Sequence, residues 1–209
     1  MLEIIKLILG PVYTNTYLVA DTKSGEAVVI DPADKEERII TEVQKRSWRL
    51  IAVWLTHAHF DHLGGVSALT DKIRPTLPIA LHPDDLPLWK MQGGAQYFGL
   101  QVDPGPEPTI LLQHGQGMKV GEFAFEVRHA PGHTPGHVIF YNPQNRVVFC
   151  GDVIFKEGIG RTDFPGGDYD TLINSIRTQI LTLPDETRLL SGHGPETTVG
   201  WERLNNPFL

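Results

Sequence analysis

Between Thr56 and His62 the chain sets three of its nine histidines and an aspartate into six positions, His57-Ala58-His59-Phe60-Asp61-His62. Imidazole and carboxylate at that density are the ligand set of divalent metals, and any fold the chain adopts has to hold this cluster in place. The apolar run Ile-Ala-Val-Trp-Leu at 51–55 precedes it and Gly64-Gly65 follows, so the cluster is expected on the turn leaving a buried strand. Residues two apart on an extended segment share a face, which lets His57 and His59 point the same way. Asp61 and His62 fall where the chain bends toward a helix and address a second point nearby. Two adjacent metals follow from that division.

One loop cannot surround two cations, so further ligands have to come from later in the chain. His133 stands in Ala130-Pro131-Gly132-His133-Thr134-Pro135-Gly136-His137, a tight loop after the alternating strand 123–129. Asp152 follows the apolar run Val147-Val148-Phe149-Cys150 through Gly151, which delivers a carboxylate to the end of a buried strand, where an unpaired charge is costly. His193 sits between Gly192 and Gly194 after Arg188-Leu189-Leu190. Taken singly, each is ordinary turn chemistry. Together with the first cluster they repeat one geometry four times: strand, then a glycine-bearing turn with His or Asp, which is how a sheet collects ligands at one edge. His129 and His137 flank His133 in positions that read as structural, and His82 and His114 show no partner pattern.

At 209 residues, 41% hydrophobic and 21% charged, the chain can bury a sizeable core, and one compact domain over 1–209 is expected. The start is apolar, but Glu3 and Lys6 interrupt it and it is too short to span a bilayer, so it reads as a first strand and no membrane attachment is expected. Strands 15–19 and 27–30 continue a meander through the turn Thr22-Lys23-Ser24-Gly25. Helical spacing follows at 35–46, with Asp34 placed to cap it, then at 65–72, 83–92 and most clearly 169–181, with a short piece at 199–204. The Gly- and Pro-rich segment 93–108 reads as a surface loop. This alternation gives a mixed α/β layer structure. Cys150 is the only cysteine, so no intrachain disulfide can form; a reduced compartment, the cytoplasm, is expected, with the thiol a small core residue. A net charge of −7 leaves no broad basic surface for nucleic acid. Nothing in the sequence sets the oligomeric state.

The ordered set His57-x-His59-x-Asp61-His62, His133, Asp152 and His193 resembles the metallo-β-lactamase superfamily of dinuclear metallohydrolases, over nearly the whole chain. Within it, Gly151-Asp152-Val153-Ile154-Phe155, the run from Gly158 to Asp168, and the ending Gly192-His193-Gly194-Pro195-Glu196 with Asn206-Pro207-Phe208 are similar to the glyoxalase II branch and its compact bacterial relatives. The resemblance implies an αββα sandwich, two mixed sheets flanked by helices, with the metal site at one edge. It implies that His57, His59 and His133 hold one metal, that Asp61, His62 and His193 hold the other, and that Asp152 bridges them. The cofactors implied are two divalent ions, zinc foremost, with iron or manganese as alternatives.

Two cations sharing one water lower its pKa toward about 7, giving a nucleophile without a strong protein base. A thiol of pKa about 8.5 leaves without a dedicated acid, which suits a ligand set that contains none. The expectation is therefore a thioester hydrolase acting on S-lactoylglutathione or a similar small acyl-thiol, with Asp61, Asp152 and Arg161 as catalytic residues and Asp61 also orienting the water. Arg161 and Asp163 either orient ligands or substrate or form a salt bridge that fastens their turn. Full-length glyoxalase II enzymes carry a further helical region that grips glutathione; none is expected after His193 here, which points to another acyl-thiol or a broader range. Lactam hydrolysis is not expected, because the β-lactamases of this fold often place cysteine where Asp152 stands. A mono-iron persulfide dioxygenase of the same fold and a non-catalytic metal-binding protein are the alternatives.

Overall fold

The computed structural model describes residues 1–73 and 77–209. β1 (Leu2–Leu9), β2 (Thr14–Asp21) and β3 (Glu26–Ile30) form the expected antiparallel meander. α1 (Glu36–Lys45) then carries the chain across, so that β4 (Arg49–Trp54) returns parallel to β3. The one-turn α2 (Phe60–Leu63) and α3 (Val66–Lys72) lead to β5 (Ile79–Leu81), and α4 (Leu86–Lys90) leads to β6 (Ile110–Leu111), each strand again parallel to its predecessor.

The second sheet begins as an antiparallel meander of β7 (Gly117–Val120), β8 (Phe123–His129), β9 (Val138–Asn142) and β10 (Val147–Gly151). A small hairpin of β11 (Ile154–Phe155) and β12 (Gly158–Ile159) follows, then α5 (Tyr169–Ser175). β13 (Arg188–Ser191) pairs parallel to β10, β14 (Thr197–Thr198) closes that edge, and α6 (Val199–Asn205) packs behind it.

Strand periodicity sorts the core into three seams. In β2 and β3, Leu18, Ala20, Ala27 and Val29 face Ile39 and Val43 of α1 and Val66 and Leu69 of α3. The alternate residues Tyr17, Val19, Val28 and Ile30 face the other sheet, where they meet Phe125, Phe140 and Phe149. On that sheet's far side, Ile139, Tyr141, Val148 and Cys150 meet Leu172, Ile173 and Ile176. Helix, sheet, sheet, helix is thus the order of layers. The middle seam is aromatic, with the Trp54 ring 5.4 Å from Phe125 and 5.1 Å from Phe140. Burial of each such ring contributes on the order of 2–3 kcal/mol. Cys150 lies in the third seam, and burial pushes its thiol well up, so it is an inert core residue.

Three helices differ from expectation. Asp34 does not cap α1: Lys35 holds that position in a left-handed conformation, and the Asp34 carboxylate accepts from the Lys35 amide at 2.7 Å. The bend is set by close packing of this turn on Gly64 and Gly65, whose amide donates to Pro32 at 2.7 Å. The helix expected at 83–92 is a 3-10 turn, Pro83–Asp85, followed by α4, because Pro87 has no amide hydrogen with which to continue the first turn. The helix expected at 169–181 widens into π-type turns at Ile176–Ile180 while still burying Ile176 and Ile180.

Segment 93–108 is also more structured than a solvated loop. Its start, Gln92–Phe98, forms 3-10 turns through Gly93 and Gly94, both at positive φ, and buries Ala95. The Gly93 backbone lies so close to Phe60 that a Cβ would stand 2.3 Å from the Phe60 nitrogen. That contact lays the segment over the 57–62 cluster. Among the described residues, no helix is long and apolar enough to cross a membrane.

Candidate metal centre

Strand ends of both sheets deliver the cluster to one edge of the sandwich. Beyond β4, Thr56 is tied to Asp31 at the end of β3: its amide donates to Oδ1 at 2.8 Å and its hydroxyl to Oδ2 at 2.7 Å. His59 is the N-terminal cap of α2, which presents Asp61 and His62. The loop bearing His133 closes through the Ala130 amide on the His137 carbonyl at 2.8 Å. Gly151, at φ +49, turns β10 out so that Asp152 follows directly, and the Gly192 amide bonds the Gly151 carbonyl at 2.8 Å, setting His193 beside it.

All seven residues singled out as ligands are brought together. One donor atom each from His57, His59 and His133 lie within 4.8 Å of one another, and the same holds for Asp61, His62 and His193. Asp152 reaches both groups: Oδ2 lies 3.7 Å from His133 Nε2 and 3.6 Å from His193 Nε2, and Oδ1 lies 3.4 Å from His62 Nε2.

The far sides of the rings decide whether this is a metal site. His62 Nδ1 donates to Asp31 Oδ2 at 2.9 Å, and His133 Nδ1 donates to the Arg161 carbonyl at 2.8 Å. The Thr56 hydroxyl spends its proton on Asp31, so it accepts from His57 Nδ1 at 3.0 Å. Each of these rings therefore turns its Nε2 toward the centre, the orientation that metal-binding histidines need, and His133 Nε2 meets His59 Nδ1 there at 2.8 Å. His57 Nε2, His62 Nε2 and Asp152 Oδ1 are buried with no hydrogen-bond partner. An unpaired buried polar atom costs about 1–3 kcal/mol. Three of them aimed at one space fit a cation there.

Charge is distributed to match. Burial, reinforced by the neighbouring imidazoles, pushes His57 far down, and burial with His133 brings His59 to about 3, so both are neutral donors. Burial would raise the Asp61 carboxyl, but His62 and His193 outweigh it and hold it at about 2. Asp152 is likewise driven well below the carboxylate range by His62, His133 and His193 against the effect of burial. His62 is the exception among the buried rings: burial opposes its charge, yet Asp61, Asp152 and Asp31 lift it well above its ordinary value.

Sequence reading missed three supports. Asp31 follows an apolar strand just as Asp152 does, and that shared signal was available. Asp85 is fully buried and accepts from the Ala58 amide at 2.9 Å, the Thr134 hydroxyl at 2.8 Å and the Gly136 amide at 2.7 Å, joining the two histidine loops. His137, expected to be structural, accepts the Asp152 amide at 3.0 Å and stacks on His57. His82 is not partnerless as expected: its ring stacks on His129 at 4.2 Å, and the Nδ1 of His114 accepts the His129 amide at 3.2 Å. The Arg161 guanidinium pairs with Asp163 at 2.8 and 2.7 Å and lies 3.6 Å over the Phe164 ring.

Beside the cluster opens a cavity of about 520 Å³, whose walls include Val12, Phe60, Leu88, Met91, Phe98 and Phe164. His59, Asp61, His133, Asp152 and His193 form its floor.

Layers, ligand edge and cavity together define a metallohydrolase. The chain belongs to the metallo-beta-lactamase superfamily, whose family model matches residues 9–193. It is 40% identical to the hydroxyacylglutathione hydrolase GloC of Haemophilus influenzae, over 93% of this chain and 92% of that one. Among solved structures it is similar to TTHA1623 in a di-iron-bound form (TM-score 0.89, 42% identity, 98% of this chain and 100% of that one). It is also similar to the B3 metallo-beta-lactamase BLEG-1 (TM-score 0.91, 38% identity, 99% of each chain). That last likeness shows that a protein named as a lactamase shares this fold over its full length, and it leaves open which reaction this chain performs.

Proposed function

We propose that the chain is a dinuclear metal-dependent hydrolase that cleaves a thioester, S-lactoylglutathione or a similar small acyl-thiol, in the cytoplasm. The observation that carries this reading is the pair of complete donor groups with Asp152 reaching both. His57, His59 and His133 would hold one divalent ion, Asp61, His62 and His193 the other, and Asp152 would bridge them. Two zinc ions there, or iron or manganese in their place, would supply a water of lowered pKa and Lewis-acid stabilisation of the oxyanion.

The protein's own contributions are positional. Thr14 donates to Asp61 Oδ2 at 2.9 Å, which fixes that carboxylate where it can orient the attacking water. Asp31, Thr56 and the Arg161 carbonyl fix the ligand rings. The apolar cavity excludes bulk water from the carbonyl and strengthens each polar contact. Arg161, lining that cavity, stands on the substrate side. A thiolate departs without a side chain to protonate it.

Metal content measured together with turnover tests the reading. Two metals per chain with cleavage of acyl-thiols and no oxygen consumption is the expected result. One iron per chain with oxygen uptake on a glutathione persulfide would replace hydrolysis by the dioxygenase reaction, and faster cleavage of a β-lactam than of any thioester would move the substrate class. Inactivity of the two-metal protein toward the whole panel would leave a metal-binding protein without catalysis.

A further inference from the structure

The cavity beside the metal centre has a chemistry that the hydrolase reading does not by itself specify. Phe60, Phe98 and Phe164 form one wall, with Phe98 5.1 Å from Phe60 and 5.7 Å from Phe164, and the Phe164 ring stands 5.8 Å from His59. Met91, Phe98 and Leu100 remain 41–49% exposed there, although large apolar groups are ordinarily covered. Among the described residues, Arg161 is the only lysine or arginine of the lining. Its guanidinium is already doubly bonded to Asp163 and stacked on Phe164, and Asp84 adds a carboxylate to the rim.

A glutathione thioester carries two carboxylates and an ammonium, and among the described residues the lining offers the first two no lysine and only an arginine that is already paired. An aliphatic or aromatic acyl chain suits the apolar part of this lining, and His59, Asp61 and Asp152 line the same cavity, where its carbonyl would meet them. Resting on the thioester-hydrolase reading but moving its substrates away from S-lactoylglutathione, we propose that this cavity is an acyl-chain pocket, and that the preferred substrates are thioesters of medium-length apolar acids rather than those whose recognition depends on a charged thiol. Phe98 is the residue that sets this preference, since it bridges the other two rings.

Binding of thioethers, which cannot be hydrolysed, tests the pocket apart from the chemistry. Calorimetry on the zinc-loaded protein would use S-alkyl derivatives of N-acetylcysteamine, a neutral thiol, from methyl to octyl, against S-methylglutathione. Affinity should rise roughly two- to fourfold per methylene until the cavity is filled, and the octyl compound should bind more tightly than S-methylglutathione. Phe98→Ala should flatten the rise. Affinity independent of chain length, or tighter binding of S-methylglutathione than of the octyl compound, would overturn the proposal. Turnover of the matching thioesters is the second arm: octanoyl should exceed acetyl in kcat/KM on the same thiol. Length-dependent binding without any cleavage would sink the hydrolase reading while leaving the pocket assignment standing.

Discussion

Asp31 shows how much of a metal centre lies outside its ligands. One carboxylate accepts the Thr56 amide and hydroxyl and the Nδ1 of His62, and through Thr56 it also fixes His57. The residue sits at φ +50, a conformation that asparagine tolerates, so Asp31→Asn leaves the backbone unstrained and alters only the acceptor. Its effect should be a 10- to 100-fold loss of metal affinity, read by titration against a chelating dye; an unchanged affinity would mean that the rings are oriented by packing alone. The ligands themselves were legible because four of them fall within six positions and the others share the pattern of strand, glycine turn and donor. Asp31 carried the same signal as Asp152, an aspartate just after an apolar strand, but its partners lie far along the chain, 31 residues away at His62, as those of His137 do, 15 residues away at Asp152. No local period marks such a contact.

Between elements, the decisive joint is Asp85, at the end of a 3-10 turn that the sequence pattern presented as plain helix. Its three hydrogen bonds fasten the loop after β4 to the loop between β8 and β9, and so hold His57 and His59 opposite His133. Removing the carboxylate leaves three buried donors competing for nothing, at a cost of about 1–3 kcal/mol for each that water cannot reach. Asp85→Ala should therefore cost about 3 kcal/mol, roughly 6–12 °C in Tm for a chain of this size, measured on metal-free protein so that lost ligation does not contribute. A shift below about 2 °C would show that the loops hold their places without it. The strand and helix order was readable from apolar runs and their punctuation, since strands buried on both faces, such as β3 and β10, read as continuous apolar runs, and β8 alternates. The fold of Gln92–Phe98 over the site depends on close backbone approach at Gly93, which composition alone marks only as loop.

For the molecule as a whole, ion binding and folding share the same protons, and this fixes the direction of its pH dependence. In the metal-free state, Asp61, Asp152 and Asp31 raise His62 above its unfolded value against burial, so the ring contributes stability that is fully present below about pH 6.5 and lost as pH rises through its folded pKa. Asp61 acts in the opposite sense. Its folded value of about 2 gives stability present above the unfolded carboxyl range and lost only as pH falls toward 2, so it is constant across the neutral region. Stripped protein should accordingly grow less stable between about pH 6.5 and 9. A divalent ion replaces the His62 proton, and its apparent affinity should rise about tenfold per pH unit while that proton is being displaced. An ion that binds only the folded chain stabilises it by RT ln(1 + c/Kd) at free-ion concentration c, so its growing affinity offsets the lost His62 contribution and loaded protein should hold its stability where stripped protein loses. The gap in Tm between the two, followed by calorimetry at fixed metal concentration, should widen steadily from pH 6 to 9. A gap that stays constant would mean that no proton leaves the centre on binding, and that His62 is not where the charge of the three carboxylates is balanced.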